Sequence, residues 1–148
     1  MPRIFAENRR GAFDYDLLEK FRAGLVLTGQ EVKSIKLGRA SLAGSYVLPQ
    51  QAELWLVGCH IPPYQPKNAP GNLAERNRKL LLQKRELRYL AGKASQKGLT
   101  FLPLKLYTDR SQIKLEFALA KPLKKWDKRE IIKKREAARE MRESLGTP

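Results

Sequence analysis

Apolar and polar positions alternate most regularly where Ile113, Leu115, Phe117 and Leu119 interleave with Lys114, Glu116 and Ala118. A period of two marks a strand with one buried face, and it predicts a strand over Gln112–Ala120. Leu99–Tyr107 reads as its partner, joined through Thr108-Asp109-Arg110-Ser111. Pro103 cannot donate to a ladder, so that position belongs on an edge or at a bulge. Residues 14–27 end in the apolar run Leu25-Val26-Leu27 and predict a first strand, with helix the competing reading for the first half. Thr28 and Glu31 then stand at capping-box spacing, and a short helix through Ile35 follows, stopped by Gly38. Residues 45–61 hold two runs of strand formers around Pro49-Gln50-Gln51-Ala52 and predict a hairpin. Pro62–Ala74, with four of the nine prolines and no apolar period, predicts a long surface loop. Asn77 is the predicted cap of a second helix, with Leu80, Leu87, Leu90, Ala91 and Ala94 at helical spacing and Gly98 at its end.

The order β-α-β-β-α-β-β has too few long helices for a doubly wound parallel sheet. It predicts a mostly β fold with helices: a small antiparallel barrel, like the oligonucleotide-binding barrels, packed with two helices. Residues 1–120 are expected to form that domain, opening on a basic arm at 1–13, and 121–148 a basic tail. In the tail Asp127 and Glu130 repeat the capping spacing and helix formers abound. Its apolar set (Ile131, Ile132, Ala138, Met141, Leu145) is too thin to anchor it, so it is expected to become fully helical only on a polyanion.

Composition sharpens this picture. With 148 residues and 42% hydrophobic content, the chain can bury one core. Lys+Arg 30 against Asp+Glu 15 leaves a net charge of +15, which points to a polyanionic partner. The charge is focused: between residues 76 and 97 stand Arg76, Arg78, Lys79, Lys84, Arg85, Arg88, Lys93 and Lys97 against Glu86 alone. On the predicted helix Lys84, Arg85 and Arg88 fall largely away from the apolar stripe, as a basic face. The single cysteine cannot form an internal disulfide and fits a reducing cytoplasm. No stretch approaches the roughly 18 apolar residues of a membrane span, so no membrane partner is expected.

Chemistry finds little to work with. A structural zinc site needs about four Cys or His ligands, and this chain holds one of each, adjacent as Cys59-His60. Neighbours on a strand point to opposite faces, so the pair reads as a buried thiol and a hydrogen-bonded imidazole rather than a dyad. There is no phosphate-cradling glycine loop and no carboxylate cluster for metal-assisted cleavage. No catalytic residue, metal or cofactor is expected. Trp126, between Lys125 and Asp127, either stacks on a base or plugs the open end of the barrel.

Several blocks carry a resemblance. Gly29-Gln30-Glu31-Val32-Lys33-Ser34, His60-Ile61-Pro62-Pro63-Tyr64, the run from Arg78 to Glu86, Lys97-Gly98-Leu99-Thr100, Pro103 to Tyr107, Ala118 to Lys121 and Asp127-Lys128-Arg129 follow one another in family order. The chain resembles the bacterial small protein B, or SsrA-binding protein, family from about Asn8 to Arg129. The resemblance implies a barrel that binds the tRNA-like domain of transfer-messenger RNA and delivers it to stalled ribosomes, with a tail that enters the empty messenger channel. It implies RNA contacts from Asn8, Arg9 and Arg10, from Glu31, Lys33 and Ser34 with His60 and Tyr64 in the loops beside them, and from Arg78, Lys79, Lys84 and Arg85, to which the basic run adds Arg76. It places Lys124, Lys125, Trp126, Asp127, Lys128, Arg129, Lys133, Lys134 and Arg135 on the ribosome, with Trp126 where relatives carry a His or Tyr that stacks in the decoding centre. The chain departs from the family pattern at Arg22, Gln83 and Pro122, where relatives favour Glu, His and a flexible Gly-containing hinge. The expected protein is a cytoplasmic, non-enzymatic monomer. A ribosomal-RNA-binding or ribosome-assembly protein is the alternative within the same class, and a small nuclease or RNA-modifying enzyme the alternative outside it.

Overall fold

The computed structural model describes residues 3–65, 73–123 and 133–141. Seven strands and four helices follow in the order β1 (Ile4–Glu7), α1 (Arg9–Asp14), β2 (Tyr15–Leu25), α2 (Gly29–Lys36), β3 (Tyr46–Gln50), β4 (Glu53–Val57), β5 (Arg78–Leu81), α3 (Lys84–Ala94), β6 (Thr100–Asp109), β7 (Gln112–Pro122) and α4 (133–141). Every pairing is antiparallel. Neighbours run β6-β3-β4-β5-β2-β7, and β7 pairs again with β6, so six strands close into a barrel. Closure removes the free edges that an open sheet of this size would expose. β1 lies outside the ring, paired with the second half of β6 through Ile4–Tyr107 and Glu7–Lys105. The fold is the expected mostly β barrel with helices.

The alternating pattern that predicts β7 is borne out, with Ile113, Leu115, Phe117 and Leu119 all buried. Phe117 stands at the centre of an aromatic cluster, 5.9 Å from Phe101 edge-on and 5.6 Å from Phe21. Leu54, Leu56, Leu80, Leu106 and Leu115 enclose it. Pro103 sits where the β6–β7 register shifts, at a bulge, as a residue without an N–H must. The hairpin between β3 and β4 turns on Gln51 and Ala52, both at positive φ as a two-residue turn requires, while Pro49 lies within β3.

α2 forms as its capping signals dictate. The Glu31 amide donates to Thr28 Oγ1 at 3.2 Å and the Thr28 amide to Glu31 Oε1 at 2.9 Å, and Gly38 takes φ +76° just past the helix. Ile35 of α2 and Leu90 of α3 are both buried in the hydrophobic core.

Two expectations are corrected. Within residues 1–13, expected as an arm, Ile4–Glu7 forms β1 and α1 starts at Arg9, because the Asn8 amide donates to the Leu104 carbonyl and ties this segment to β6. The second helix does not start at Asn77. Arg78–Leu81 is a strand, paired with β2 and β4, and α3 begins after Gln83. Leu80 fits the helical period by coincidence, since the barrel needs its side chain inward to bridge β2 and β4. The true start was marked by Gln83 and Glu86, whose carboxylate accepts from the Gln83 amide at 3.2 Å. Consequently Arg76, Arg78 and Lys79 are not on the helix face that carries Lys84, Arg85 and Arg88.

The Phe21–Phe101–Phe117 cluster holds the barrel's interior at fixed volume, so Phe117→Ala is expected to cost about 3–5 kcal/mol. A urea transition with a lowered midpoint at unchanged slope confirms this, and a midpoint within about 1 kcal/mol of the original refutes it.

Candidate nucleic-acid interface

The residues expected to touch RNA divide into buried struts and exposed cations. Arg78 is fully buried and Glu31 nearly so. Arg78 Nε donates to Glu31 Oε2 at 2.7 Å, its Nη1 to the Cys59 carbonyl at 2.6 Å and its Nη2 to the Ala74 carbonyl at 3.1 Å. Arg76 pairs with the other Glu31 oxygen, and also donates to the Val26 carbonyl at 3.1 Å. One carboxylate thereby ties the α2 N-terminus to β5, to the end of β2 and to both stems of the loop between Cys59 and Ala74. Burial raises the Glu31 carboxyl, but the bonds from Arg76, the Thr28 amide and Arg78 outweigh it and hold the group below its ordinary value of 4.5.

Ser34 is also fully buried, on the inner side of α2, with no hydrogen-bond partner for its hydroxyl among the described residues. Asn8 is buried too: it caps α1 by accepting from the Gly11 amide at 3.2 Å and donates from Nδ2 to the Pro103 carbonyl at 3.0 Å. These four residues build the surface rather than form it.

What they present outward is cationic and aromatic. On α2, Lys33 stands over the Tyr64 ring at 5.2 Å, and Gln30 accepts from the Gln65 amide at 2.8 Å, so the helix holds the loop against itself. His60 is exposed and pairs through Nδ1 with Glu75 Oε1 at 2.5 Å. Arg9 is exposed and bonds Glu7 at 3.0 Å. Arg10 lines a groove of about 450 Å³ between α1, the loop Ala43–Tyr46 and the start of β6, together with Asp14, Tyr15 and Tyr46. Sequence reasoning missed the two tyrosines. Tyr46 alternates with buried Val47, and that phase was the only signal that it faces outward.

Of the eight cations between residues 76 and 97, Arg76 and Arg78 share the single Glu31 carboxylate, which offsets one of their two charges, and Lys79 lies 3.5 Å from Glu53. Lys84 and Arg85 are exposed on α3. In the tail, Lys124, Lys125, Trp126, Asp127, Lys128 and Arg129 lie outside the described residues. Lys133, Lys134 and Arg135 are exposed on α4, where Arg135 Nη1 donates to the Ala12 carbonyl at 3.1 Å. Cys59 is buried, and burial pushes its thiol up to about 11, so it is not a thiolate at neutral pH. Among the described residues no three His, Cys, Asp or Glu side chains converge as metal ligands.

A family model described as SmpB protein matches residues 5–147. The chain belongs to the SmpB family. SsrA-binding protein from Carboxydothermus hydrogenoformans is 49% identical over 145 residues, covering 98% of this chain and 97% of that one. SsrA-binding protein from Syntrophobacter fumaroxidans is 46% identical over 139 residues, covering 94% and 86%. Among solved structures, a chain of "tmRNA-SmpB: a journey to the center of the bacterial ribosome" matches with a TM-score of 0.66 at 41% identity, covering 85% of this chain and 92% of that one. Set in the SmpB fold, the buried Glu31–Arg78 pair lies beneath the surface that carries Lys33 and Tyr64.

Arg78→Ala takes from the buried Glu31 carboxylate one of its two guanidinium partners and leaves the Cys59 and Ala74 carbonyls without that donor, and a loss of about 3–5 kcal/mol in stability is expected. The stabilisation from Glu31 is present above its unfolded value of 4.5 and is lost as pH falls through the lower folded value. Glu31→Gln should flatten the acid limb of a stability–pH profile. A limb as steep as in the unaltered chain would show that Glu31 does not carry it.

Proposed function

We propose that this protein is an RNA-binding adaptor that holds the tRNA-like domain of transfer-messenger RNA and brings it to stalled ribosomes. The observation that carries the reading is the match to SsrA-binding proteins over nearly the whole chain, at 49% identity in one of them. The surface chemistry agrees. Arg9, Arg10 and Lys33 supply cations for phosphates, and Tyr46 and Tyr64 supply flat faces for unstacked bases. Each phosphate neutralised releases counterions, so affinity falls steeply with salt, while 2′-hydroxyls and A-form shape confer selectivity. The protein acts without catalysis of its own, in the cytoplasm and as a monomer. No described helix is long and apolar enough to cross a membrane.

The basic tail, expected over 121–148 and here taken from the end of β7 after Leu123, occupies the messenger channel, and Trp126 stacks in the decoding centre. β7 ends at Pro122 and the Leu123 amide still bonds the Asp14 carbonyl, so the barrel is complete before the tail begins. A chain cut after Leu123 should bind the tRNA-like RNA about as tightly as the full chain, and more tightly than a DNA hairpin of equal length at two salt concentrations. It should fail to support tagging on a stalled ribosome. Equal affinity for RNA and DNA at the higher salt overturns RNA recognition, and tagging by the shortened chain overturns the tail's role.

Stacking asks only for an aromatic face at position 126. Trp126→Ala is therefore expected to lose about 1–3 kcal/mol of ribosomal interaction, with Trp126→Tyr nearly silent and the melting temperature unchanged in both. A plug in the barrel would instead cost about 3–5 kcal/mol of stability on truncation. Thermal melting beside a tagging assay separates the two.

A further inference from the structure

The wall of β1, β6, β7 and β2 carries a cleft of about 180 Å³, lined by Ile4, Arg22, Lys105, Tyr107, Asp109 and Glu116. Strand register brings these residues together. Ile4 stands opposite Tyr107, Lys105 opposite Glu116, and Glu116 opposite Arg22. Paired strands hold such side chains more firmly than loops do.

Most charges in the cleft are already matched. The Lys105 ammonium lies 3.4 Å from Glu116, and the Lys114 ammonium 3.7 Å from Asp109. Arg22 is exposed and forms no salt bridge among the described residues. It is the unmatched cation of the group. Tyr107 is only 5% exposed, and its hydroxyl has no hydrogen-bond partner among the described residues. A buried hydroxyl without a partner has given up water for nothing, which costs free energy. Burial pushes the phenol above its ordinary value of 10, while the nearby Arg22 charge pulls it the other way. The hydroxyl therefore keeps its proton at neutral pH and can donate. Lys105 extends its ammonium over the Tyr107 ring at 5.8 Å, and a ligand entering the cleft would swing this flexible side chain aside.

Two donors without acceptors, a guanidinium fork and a phenolic O–H, thus line one cleft beside the exposed aliphatic side chain of Ile4. A carboxylate matches them. Both its oxygens accept, a guanidinium holds them side by side, and its single charge equals the one that Arg22 leaves unmatched. A nucleic-acid backbone fits worse, because phosphates flanking the one at Arg22 would meet Glu116 and Asp109. We infer that this cleft binds a carboxylate through Arg22 and the Tyr107 hydroxyl, with a short aliphatic body resting on Ile4. A small free acid and an acidic side chain of a partner protein offer the same chemistry.

The test titrates the full chain, labelled for NMR, with sodium propionate against sodium chloride at equal ionic strength. A saturable shift of the Arg22 and Tyr107 signals is expected, with a Kd of about 1–10 mM for so small a ligand. A capped peptide bearing one Glu separates the two sources. Tighter binding than propionate assigns the cleft to a partner protein's side chain, and equal or weaker binding to a free acid. Tyr107→Phe should weaken propionate about fivefold, with the melting temperature unchanged or raised because an unpaired hydroxyl has been removed. A merely structural Tyr107 would leave propionate affinity untouched. Arg22→Ala should weaken it about tenfold, and Arg22→Lys, which keeps the charge but loses the fork, should recover only part of that. No shift beyond that of chloride, unchanged affinity in Tyr107→Phe and Arg22→Ala, or displacement of propionate by the tRNA-like RNA overturns the inference.

Discussion

The Glu31 carboxylate, held between Arg76 and Arg78 beneath the surface, is the contact on which the rest of the interface depends. Burying an arginine completely is tolerable only when its N–H groups find acceptors, and Arg78 finds a carboxylate and two main-chain carbonyls. Because those carbonyls belong to Cys59 and Ala74, the guanidinium closes both ends of the long loop between them. Glu31 in turn completes the capping box of α2, so helix start, strand start and loop stems share one joint. Loop closure over so many residues carries an entropic cost that the joint offsets locally.

The joint also redraws the charge map. A run of eight cations suggests one continuous positive face, yet three of the eight lie against Glu31 or Glu53. The other five, Lys84, Arg85, Arg88, Lys93 and Lys97, lie on α3 or just after it. Residues the family resemblance associates with RNA therefore act in two ways: Lys33, Arg9 and Arg10 reach outward, whereas Glu31, Ser34, Asn8 and Arg78 are buried supports. Truncating one of the supports changes the shape of the surface, and truncating a cation changes its charge.

Barrel closure explains how so short a chain carries several projecting helices and loops. With β6 and β7 pairing to complete the ring, the phenylalanine cluster fills the interior, and loops and helices are free to project from the rim. The bulge at Pro103 bends β6 so that its first half meets β3 and its second half meets β1. That bend brings Asn8 to the Pro103 carbonyl and places α1 beside the groove.

Features with local causes were legible in the sequence alone: the α2 capping box, the alternation along β7, the bulge at Pro103 and the buried thiol at Cys59 each depend on a few neighbouring residues. The family blocks added the kind of partner, because their order along the chain is specific. Distant contacts decided the rest. Whether Arg78-Lys79-Leu80-Leu81 forms helix or strand is settled by β2 and β4, which offer a ladder on both sides, and no local propensity overrides that. Residues 4–14 fold onto the barrel because β6 supplies partners nearly a hundred residues away. The sequence by itself determined that the chain carries a large positive charge on a β-barrel scaffold. Only the tertiary structure decided which cations face solvent, because an arginine is neutralised or exposed according to whether the fold brings a carboxylate within reach.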